Sequence, residues 1–307
     1  MAPWLIPHSP QARAIVDLFT QFLVVAAVIF LVVSALVVYC IVRFRARPDA
    51  PEPGQRRSSR RLEVAWTTIP LLIVLVLFGL TVRTMANVDA PQDTGRNPDI
   101  VITGYQWWWE ARYPGTPAVT ANEAHIPTGR RLLARVESTD VIHDFWAPQL
   151  ARKIDAVPGR SSYIWLEADT PGTYQGACAE FCGKQHATMR FQVIAEPEPV
   201  FTAWLARQAA TPATATGVAA EGERLFRDRK CGDCHSVSPT DTRMLIGPPL
   251  THIATRNRLG GDRANTEENL ALWITSPQTV KPGNRMPDQQ LAAAEVQALT
   301  AYLEALR

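Results

Sequence analysis

The sequence predicts a multidomain chain made of a two-helix transmembrane hairpin, an all-β domain and an all-α domain. Three observations predict it. Two long uncharged apolar runs occupy the first quarter of the chain. Short β-rich runs punctuated by Pro-Gly and Thr-Gly pairs come next. The remainder loses that texture and reads as helical. At 307 residues the chain is long enough for two or three domains. The expected boundaries are 1–90 for an N-terminal tail and the hairpin, 91–200 for the β domain, 201–217 for a linker and 218–307 for the helical domain.

The hairpin follows from length and charge. Leu18–Val42 contains no charged residue, and Val64–Val82 is a second such run. At a rise of 1.5 Å per residue each approaches or exceeds the ~30 Å of a bilayer core. Pro70 is positioned to bend the second run. Both runs are apolar all round, which argues against core helices of a soluble protein. Arg43, Arg45, Arg47, Arg56, Arg57, Arg60 and Arg61 crowd the connection, opposed only by Asp49, Glu52 and Glu63. The positive-inside rule puts that connection in the cytoplasm and both termini outside. The first run is too long for a signal-peptide core, and no small-residue cleavage site follows it. Cys40, alone in that run, reads as a small hydrophobe.

The β domain follows from runs at Ile100–Thr103, Leu132–Val136, Tyr163–Leu166 and Phe191–Ile194. Pro114-Gly115, Thr128-Gly129, Pro158-Gly159 and Pro171-Gly172 supply turns. Short strands at this spacing predict a Greek-key sandwich or barrel. A helix-like patch at Val200–Gln208 precedes the small, polar stretch Ala209–Gly217, which lacks anything to build a core and reads as linker. Helices are expected at Glu221–Phe226, Glu267–Thr275 and Ala292–Leu306. The net charge of +2 argues against nucleic acid as a main partner. Asp and Glu outnumber Lys and Arg between Asp89 and Glu198, which suits a basic partner and equally an ordinary solvated surface.

Four of the five cysteines form two close pairs. The first stands in Cys178-Ala-Glu-Phe-Cys182-Gly-Lys-Gln-His186-Ala-Thr-Met189, with His143 upstream. Two thiolates, two imidazoles and a thioether make a soft donor set that suits copper better than magnesium, calcium or manganese. Two cysteines at this spacing on one loop can both bridge a pair of ions. Such a pair shares one electron with little change in bond length, so transfer meets a small barrier. A Cys178–Cys182 disulfide and a zinc site are the competing readings, and zinc leaves Met189 without a role.

The second pair stands in Cys231-Gly-Asp-Cys234-His235, the haem-attachment pattern. Its thiols add to haem vinyl groups and its histidine faces the iron. A redox disulfide beside an unrelated histidine would give the same five residues. A helix-like stretch precedes the pattern, and Gly247-Pro-Pro-Leu250, Arg285-Met286-Pro287 and a terminal helix follow it. This order resembles that of class I cytochromes c, which implies Met286 as the sixth ligand, ahead of Met244, which lies too near the attachment site. His252 is a rival nitrogen that reads more simply as a surface or propionate-side residue. His125 reads as structural and His8 as uninformative.

From the hairpin to about Pro199 the chain resembles cytochrome c oxidase subunit II. The resemblance rests on the copper loop, Tyr105-Gln-Trp-Trp-Trp109, Asp140-Val-Ile-His143 and Asp155-Ala-Val-Pro-Gly-Arg160. Residues 218–307 resemble class I cytochromes c, so the whole looks like a caa-type fusion. The resemblance implies a cupredoxin-like β domain with a dinuclear copper centre, CuA. Its implied ligands are His143, Cys178, Cys182, His186 and Met189, with the backbone carbonyl of Glu180. It further implies that the Glu180 carboxylate reaches a magnesium ion at the junction with subunit I. Trp107 is the implied port for electrons from cytochrome c, although three adjacent tryptophans on a strand must face alternate sides. Glu63 is the implied mouth of a proton channel.

One covalent haem c completes the implied cofactors, on Cys231 and Cys234 with His235 and Met286 as iron ligands. The implied function is electron input to a proton-pumping terminal oxidase: from a donor cytochrome, through haem and copper, to subunit I, where oxygen is reduced. This chain carries no set of histidines for that last step. Subunit I, subunit III, a donor cytochrome and membrane lipid are the implied partners, and a bacterial inner membrane the implied location. The rivals are a copper-free quinol oxidase subunit, which would lack the thiolate loop; a copper-delivery module, which has no use for haem; and the electron-transfer subunit of a nitric or nitrous oxide reductase, which can share the loop.

Overall fold

The computed structural model describes residues 5–45, 59–92, 95–241 and 246–307. They form two compact units: Arg13–Asp89, and the residues up to Ala12 together with Ala90–Arg307. The hairpin unit consists of α1 (Pro10–Arg43) and α2 (Arg60–Val88), both longer than their uncharged cores. Both are apolar enough to cross a membrane, and none of the hydrophobic window of either is buried in protein. A soluble helix would hide such a face, and lipid removes the need. The helix α2 continues through Pro70. Of the arginines expected to set orientation, Arg47, Arg56 and Arg57 lie outside the described residues, as do Asp49 and Glu52.

The N-terminal tail joins the second unit. Ser9 caps α1 by accepting the backbone N–H of Ala12 at 3.0 Å. Its own hydroxyl donates to the Leu150 carbonyl, and the His8 backbone bonds Gln149 and Asp169, both at 2.8 Å. The tail is thus anchored to the β domain, whereas sequence reasoning grouped it with the hairpin.

The β domain is a sandwich of two five-stranded sheets. One sheet runs β3 (Val119–Ala121), β2 (Trp108–Arg112), β1 (Ile100–Tyr105), β5 (Leu132–Ser138), β8 (Ser162–Leu166). The other runs β4 (Glu123–Pro127), β10 (Arg190–Glu196), β9 (Gly172–Cys178), β6 (His143–Trp146), β7 (Ile154–Ala156). β1 and β5 pair in parallel, as do β4 and β10, and the remaining pairs are antiparallel. The chain changes sheets at Asn122, which holds a left-handed φ of 60°. Its side-chain oxygen accepts the Trp109 N–H at 2.9 Å, so the amide stabilises the turn it makes.

Apolar side chains from both inner faces fill the core. Phe145 stacks on Phe191 at 4.3 Å, with the Trp109 ring edge-on to both. Each such buried aromatic contributes about 2–3 kcal/mol of apolar burial. The linker does not begin at residue 201: the helix-like patch expected at Val200–Gln208 is a helix, α3 (Glu198–Ala209). Its Phe201 and Trp204 lie in the sandwich core, and Trp204 stacks on His125 at 3.9 Å. Burial of that apolar face overrides the polar, alanine-rich look of the sequence.

The helical region contains α4 (Val218–Asp228), α5 (Glu267–Thr275), the short α6 (Pro277–Val280) and α7 (Ala293–Ala305). Phe226, Leu250, Leu270, Leu299 and Tyr302 build its own core. It belongs to the same compact unit as the sandwich. The reason is a dense set of polar contacts between the two cores, described below.

Candidate metal centres

The first centre sits where β6, the end of β9 and the loop before β10 converge. His143 opens β6 and Cys178 closes β9. Cys182 and His186 follow on the loop, and Met189 directly precedes β10. His143 and Met189 are 0% and 1% exposed, Cys178 and Cys182 6% and 3%. Cys178 Sγ lies 3.9 Å from His143 Nδ1 and 3.7 Å from Cys182 Sγ. Cys182 Sγ lies 3.7 Å from His186 Nδ1 and 3.6 Å from Met189 Sδ. The backbone carbonyl of Glu180 stands 3.2 Å from Cys178 Sγ, while its side chain faces outward.

Separations of this size are those of two ligands on one ion with bonds of about 2.0–2.3 Å. Both cysteines are free thiols, so the disulfide reading is not realised. The soft donor set fits copper, and its arrangement is a chain, imidazole–thiol–thiol–imidazole, with a thioether on one side. Cys182 and His143 pull the Cys178 thiol far below the ordinary thiol range, while Cys178 and burial hold Cys182 protonated. The pair thus shares a proton that metal binding would release.

A second layer orients the ligands. Asp140 Oδ1 accepts from His143 Nε2 at 2.9 Å, which leaves Nδ1 as the ligand atom. Although burial opposes it, hydrogen bonds from His143 and from the Gln106 and Val141 backbones hold the Asp140 carboxyl below its usual range. Gly104 is required beneath this histidine: a Cβ there would stand 2.8 Å from the His143 ring. Asp140 went unremarked in the sequence except as a neighbour of His143. Its role depends on the β1–β2 turn, which comes to it from far away in the chain.

The second centre is a cavity of about 440 Å³ in the helical region. Cys231, Cys234, His235 and Met286 all line it, with Phe226, Leu250, Leu299 and Leu303 among its apolar walls. His235 Nδ1 donates to the Pro248 carbonyl at 2.8 Å, turning Nε2 inward. Burial lowers the His235 pKa, keeping the imidazole neutral as an iron ligand must be. Gly247 is needed beside it, since a Cβ would meet the ring at 2.4 Å. Met286 is held by its backbone, donating to Asn284 Oδ1 and accepting from Gln278, both at 2.7 Å. Arg256 also lines the cavity, and its enclosed Nε has no hydrogen-bond partner among the described residues. An apolar slot with two thiols, an oriented imidazole, a thioether and a buried guanidinium whose Nε has no partner among the described residues fits haem c, which carries carboxylates. Met244 lies outside the described residues. His252, expected as a surface or propionate-side residue, is 3% exposed, bonds the Ala210 carbonyl at 2.9 Å and is not among the residues lining the cavity.

The cavity's remaining wall comes from the β domain: Gln106, Trp107 and Trp108 line it too. Trp109 turns into the sandwich core, while Trp108 faces the helical region and donates to the Ile246 carbonyl at 3.2 Å. Trp107 donates through Nε1 to the Cys182 carbonyl at 2.9 Å, and its own carbonyl accepts from Lys281 at 3.0 Å. One tryptophan therefore touches both the copper-type loop and the haem-type cavity.

Comparison with known proteins decides the family. The family described as cytochrome c oxidase subunit II, transmembrane domain, matches residues 7–82, and the corresponding periplasmic domain matches 117–196. Cytochrome c matches residues 219–307. Cytochrome c oxidase subunit 2 of Alkalihalophilus pseudofirmus is 34% identical, with 99% of this chain and 90% of that protein covered. This chain belongs to the cytochrome c oxidase subunit II family. A second relative, cytochrome c oxidase subunit 2 of Bacillus sp. PS3, is 35% identical over 83% of this chain and 77% of that protein. As a subunit II with a C-terminal cytochrome c domain, the chain carries a copper centre and a haem, and it is a membrane protein.

Proposed function

We propose that this subunit II takes single electrons from a donor cytochrome into its cytochrome c domain and passes them through its copper domain to subunit I, where oxygen is reduced. A single observation carries the route: Trp107 lines the haem-type cavity and donates a hydrogen bond to Cys182 of the copper loop. When bound, haem c and a dinuclear CuA centre supply one-electron carriers.

The protein's part is to hold and orient. Cys231 and Cys234 would anchor the haem, and His235 and Met286 would supply ligands to its iron; methionine in addition to histidine raises the iron potential. His143, Cys178, Cys182, His186, Met189 and the Glu180 carbonyl would hold two coppers on a rigid sandwich, which would limit rearrangement on reduction. The Glu180 carboxylate, exposed at the loop, would be available to a magnesium ion at the junction with subunit I. Trp107 is the port between haem and copper. Glu63, in the first turn of α2, opens the proton route. The termini lie outside a bacterial inner membrane, with subunit III and lipid as further partners. Read from the side chains, the domains are a hairpin of residues 13–89, a copper domain that runs to Ala209, a connection of residues 210–217 and a cytochrome domain of 218–307.

The full chain, purified in mild detergent, is expected to carry two copper equivalents and one covalent haem by metal analysis and optical spectra. A chain that binds haem but never takes up two coppers would sink the proposal. Met286→Leu should abolish the weak methionine–iron band at the red end of the haem spectrum; an unchanged band would remove Met286 from the iron. Glu63→Gln should slow proton-coupled turnover while leaving copper reduction fast, and full steady-state turnover in that variant would rule the role out.

A further inference from the structure

Glu123 is an acid of the copper domain whose side-chain hydrogen bonds all run to the cytochrome domain. It is the first residue of β4, placed by the turn at Asn122, and it is 3% exposed. Its Oε1 accepts the backbone N–H groups of Asn257 at 2.7 Å and of Arg258 at 3.1 Å. Those consecutive amides directly follow Arg256, the enclosed cation of the haem cavity. Burial pushes the Glu123 carboxyl up, and the Arg256 charge and the two amides pull it back.

A buried carboxylate is costly unless its charge and lone pairs are matched. Here the other domain supplies the match. Two N–H groups converging on one oxygen also constrain position, because hydrogen bonds weaken steeply off line. Further bonds cross the same junction: Lys281 Nζ reaches the Trp107 carbonyl at 3.0 Å, and Gln208 donates to Thr255 Oγ1 at 3.1 Å. Arg285, next to Met286, donates to Gln106 Oε1 at 2.9 Å. Of these contacts, those of Glu123 and Lys281 come from buried charged groups, and Glu123 is the more enclosed, 3% against 7% exposed.

We propose that Glu123 is a positioning residue that locks the cytochrome domain onto the copper domain in the register that sets the haem cavity against Trp107 and Trp108. The inference rests on the electron route proposed above. It has a consequence for partners: the Trp107–Trp108 face is reserved for the chain's own haem, so an external donor must deliver its electron to the cytochrome domain.

The test uses the full chain in its oxidase complex, with haem and copper bound. Glu123→Gln keeps the side chain's size and removes its charge. The rate of electron transfer from haem to copper is followed after photoreduction of the haem, in buffers of rising viscosity. Amide exchange at Asn257 and Arg258 is measured in parallel. The wild-type rate is expected to ignore viscosity. In Glu123→Gln the rate should fall about tenfold or more, because the uncompensated Arg256 disfavours the docked register. The residual rate should depend on viscosity and both amides should exchange faster, with the haem and copper spectra unchanged. Glu123→Asp, which keeps the charge one methylene shorter, should show the same pattern in smaller degree, and it serves as the test should the glutamine variant not assemble.

Wild-type rate and exchange in these variants would overturn the proposal. So would a slower rate that stays indifferent to viscosity with exchange unchanged, since that marks a purely electrostatic effect. Absence of haem-to-copper transfer in the wild-type chain would overturn the electron route itself, and this inference with it, whatever stands at position 123.

Discussion

At the copper loop the donor atoms of four side chains stand in a chain with links of 3.7–3.9 Å, buried on a sandwich and oriented by Asp140. Around the haem cavity two thiols, an imidazole and a thioether line about 440 Å³ of space, and part of the wall is borrowed from the other domain. The difference is one of completeness. A small ion needs only its first ligands brought together, and a rigid β core does that in advance. A large planar ligand is itself a piece of core, so the fold leaves room for it and relies on it for packing. The copper site is thus as stiff as its scaffold, and the haem site as stable as its contacts across the junction.

The largest blow to this contrast is expected from Phe191→Ala. Phe191 is 2% exposed and stacks on Phe145, which neighbours the copper side of the core. Its loss should cost about 3–5 kcal/mol in sandwich stability. Chemical denaturation should show copper lost at lower denaturant than in wild type, with the haem spectrum changing later. Simultaneous loss of both would mean that the two sites do not differ in what supports them.

Asp140→Asn gives a smaller and more local test. The amide can no longer accept from His143 Nε2 as strongly as the carboxylate does, so the imidazole loses its fixed orientation. Copper affinity should fall about 10–100-fold, as is usual when such an orienting partner is lost. Competition with a copper chelator measures this, and haem incorporation should be untouched. Unaltered affinity would show that the scaffold alone orients the imidazole.

Lys281 supplies the smallest effect per pH unit, and it belongs to the junction. Burial lowers its pKa from 10.5 to about 8, against the pull of Asp262. Between these values a separated, solvated Lys281 binds a proton that the docked one does not. Docking should therefore strengthen as pH rises from about 8 towards 10.5, by no more than about 1.4 kcal/mol per pH unit. Urea titration followed through the haem should show that slope in wild type and lose it in Lys281→Met. A wild-type slope in the variant would assign the pH dependence elsewhere.

Much of this protein was legible without coordinates. Leu18–Val42 and Val64–Val82 declare a membrane hairpin because the lipid acts on every residue of a run at once. Cys231-Gly-Asp-Cys234-His235 and the Cys178–Met189 loop point to a haem and a copper centre because the donor atoms are close in sequence, so spacing is already geometry. Position was harder where partners are distant. Phe201 and Trp204 stand in a stretch that reads as helix, and only their burial beside His125 makes them part of the sandwich.

Sequence alone thus determined which metals this chain can hold and that it lives in a membrane, since both follow from local chemistry. Tertiary structure alone decided that one tryptophan joins the two centres and that Asp140, Glu123, Lys281 and Arg285 have specific partners. A lone charged residue in a sequence looks like solvated surface. Its meaning is set by which distant backbone amide, carbonyl or ring the fold brings against it, and that depends on the closure of the whole sandwich and the docking of the helices.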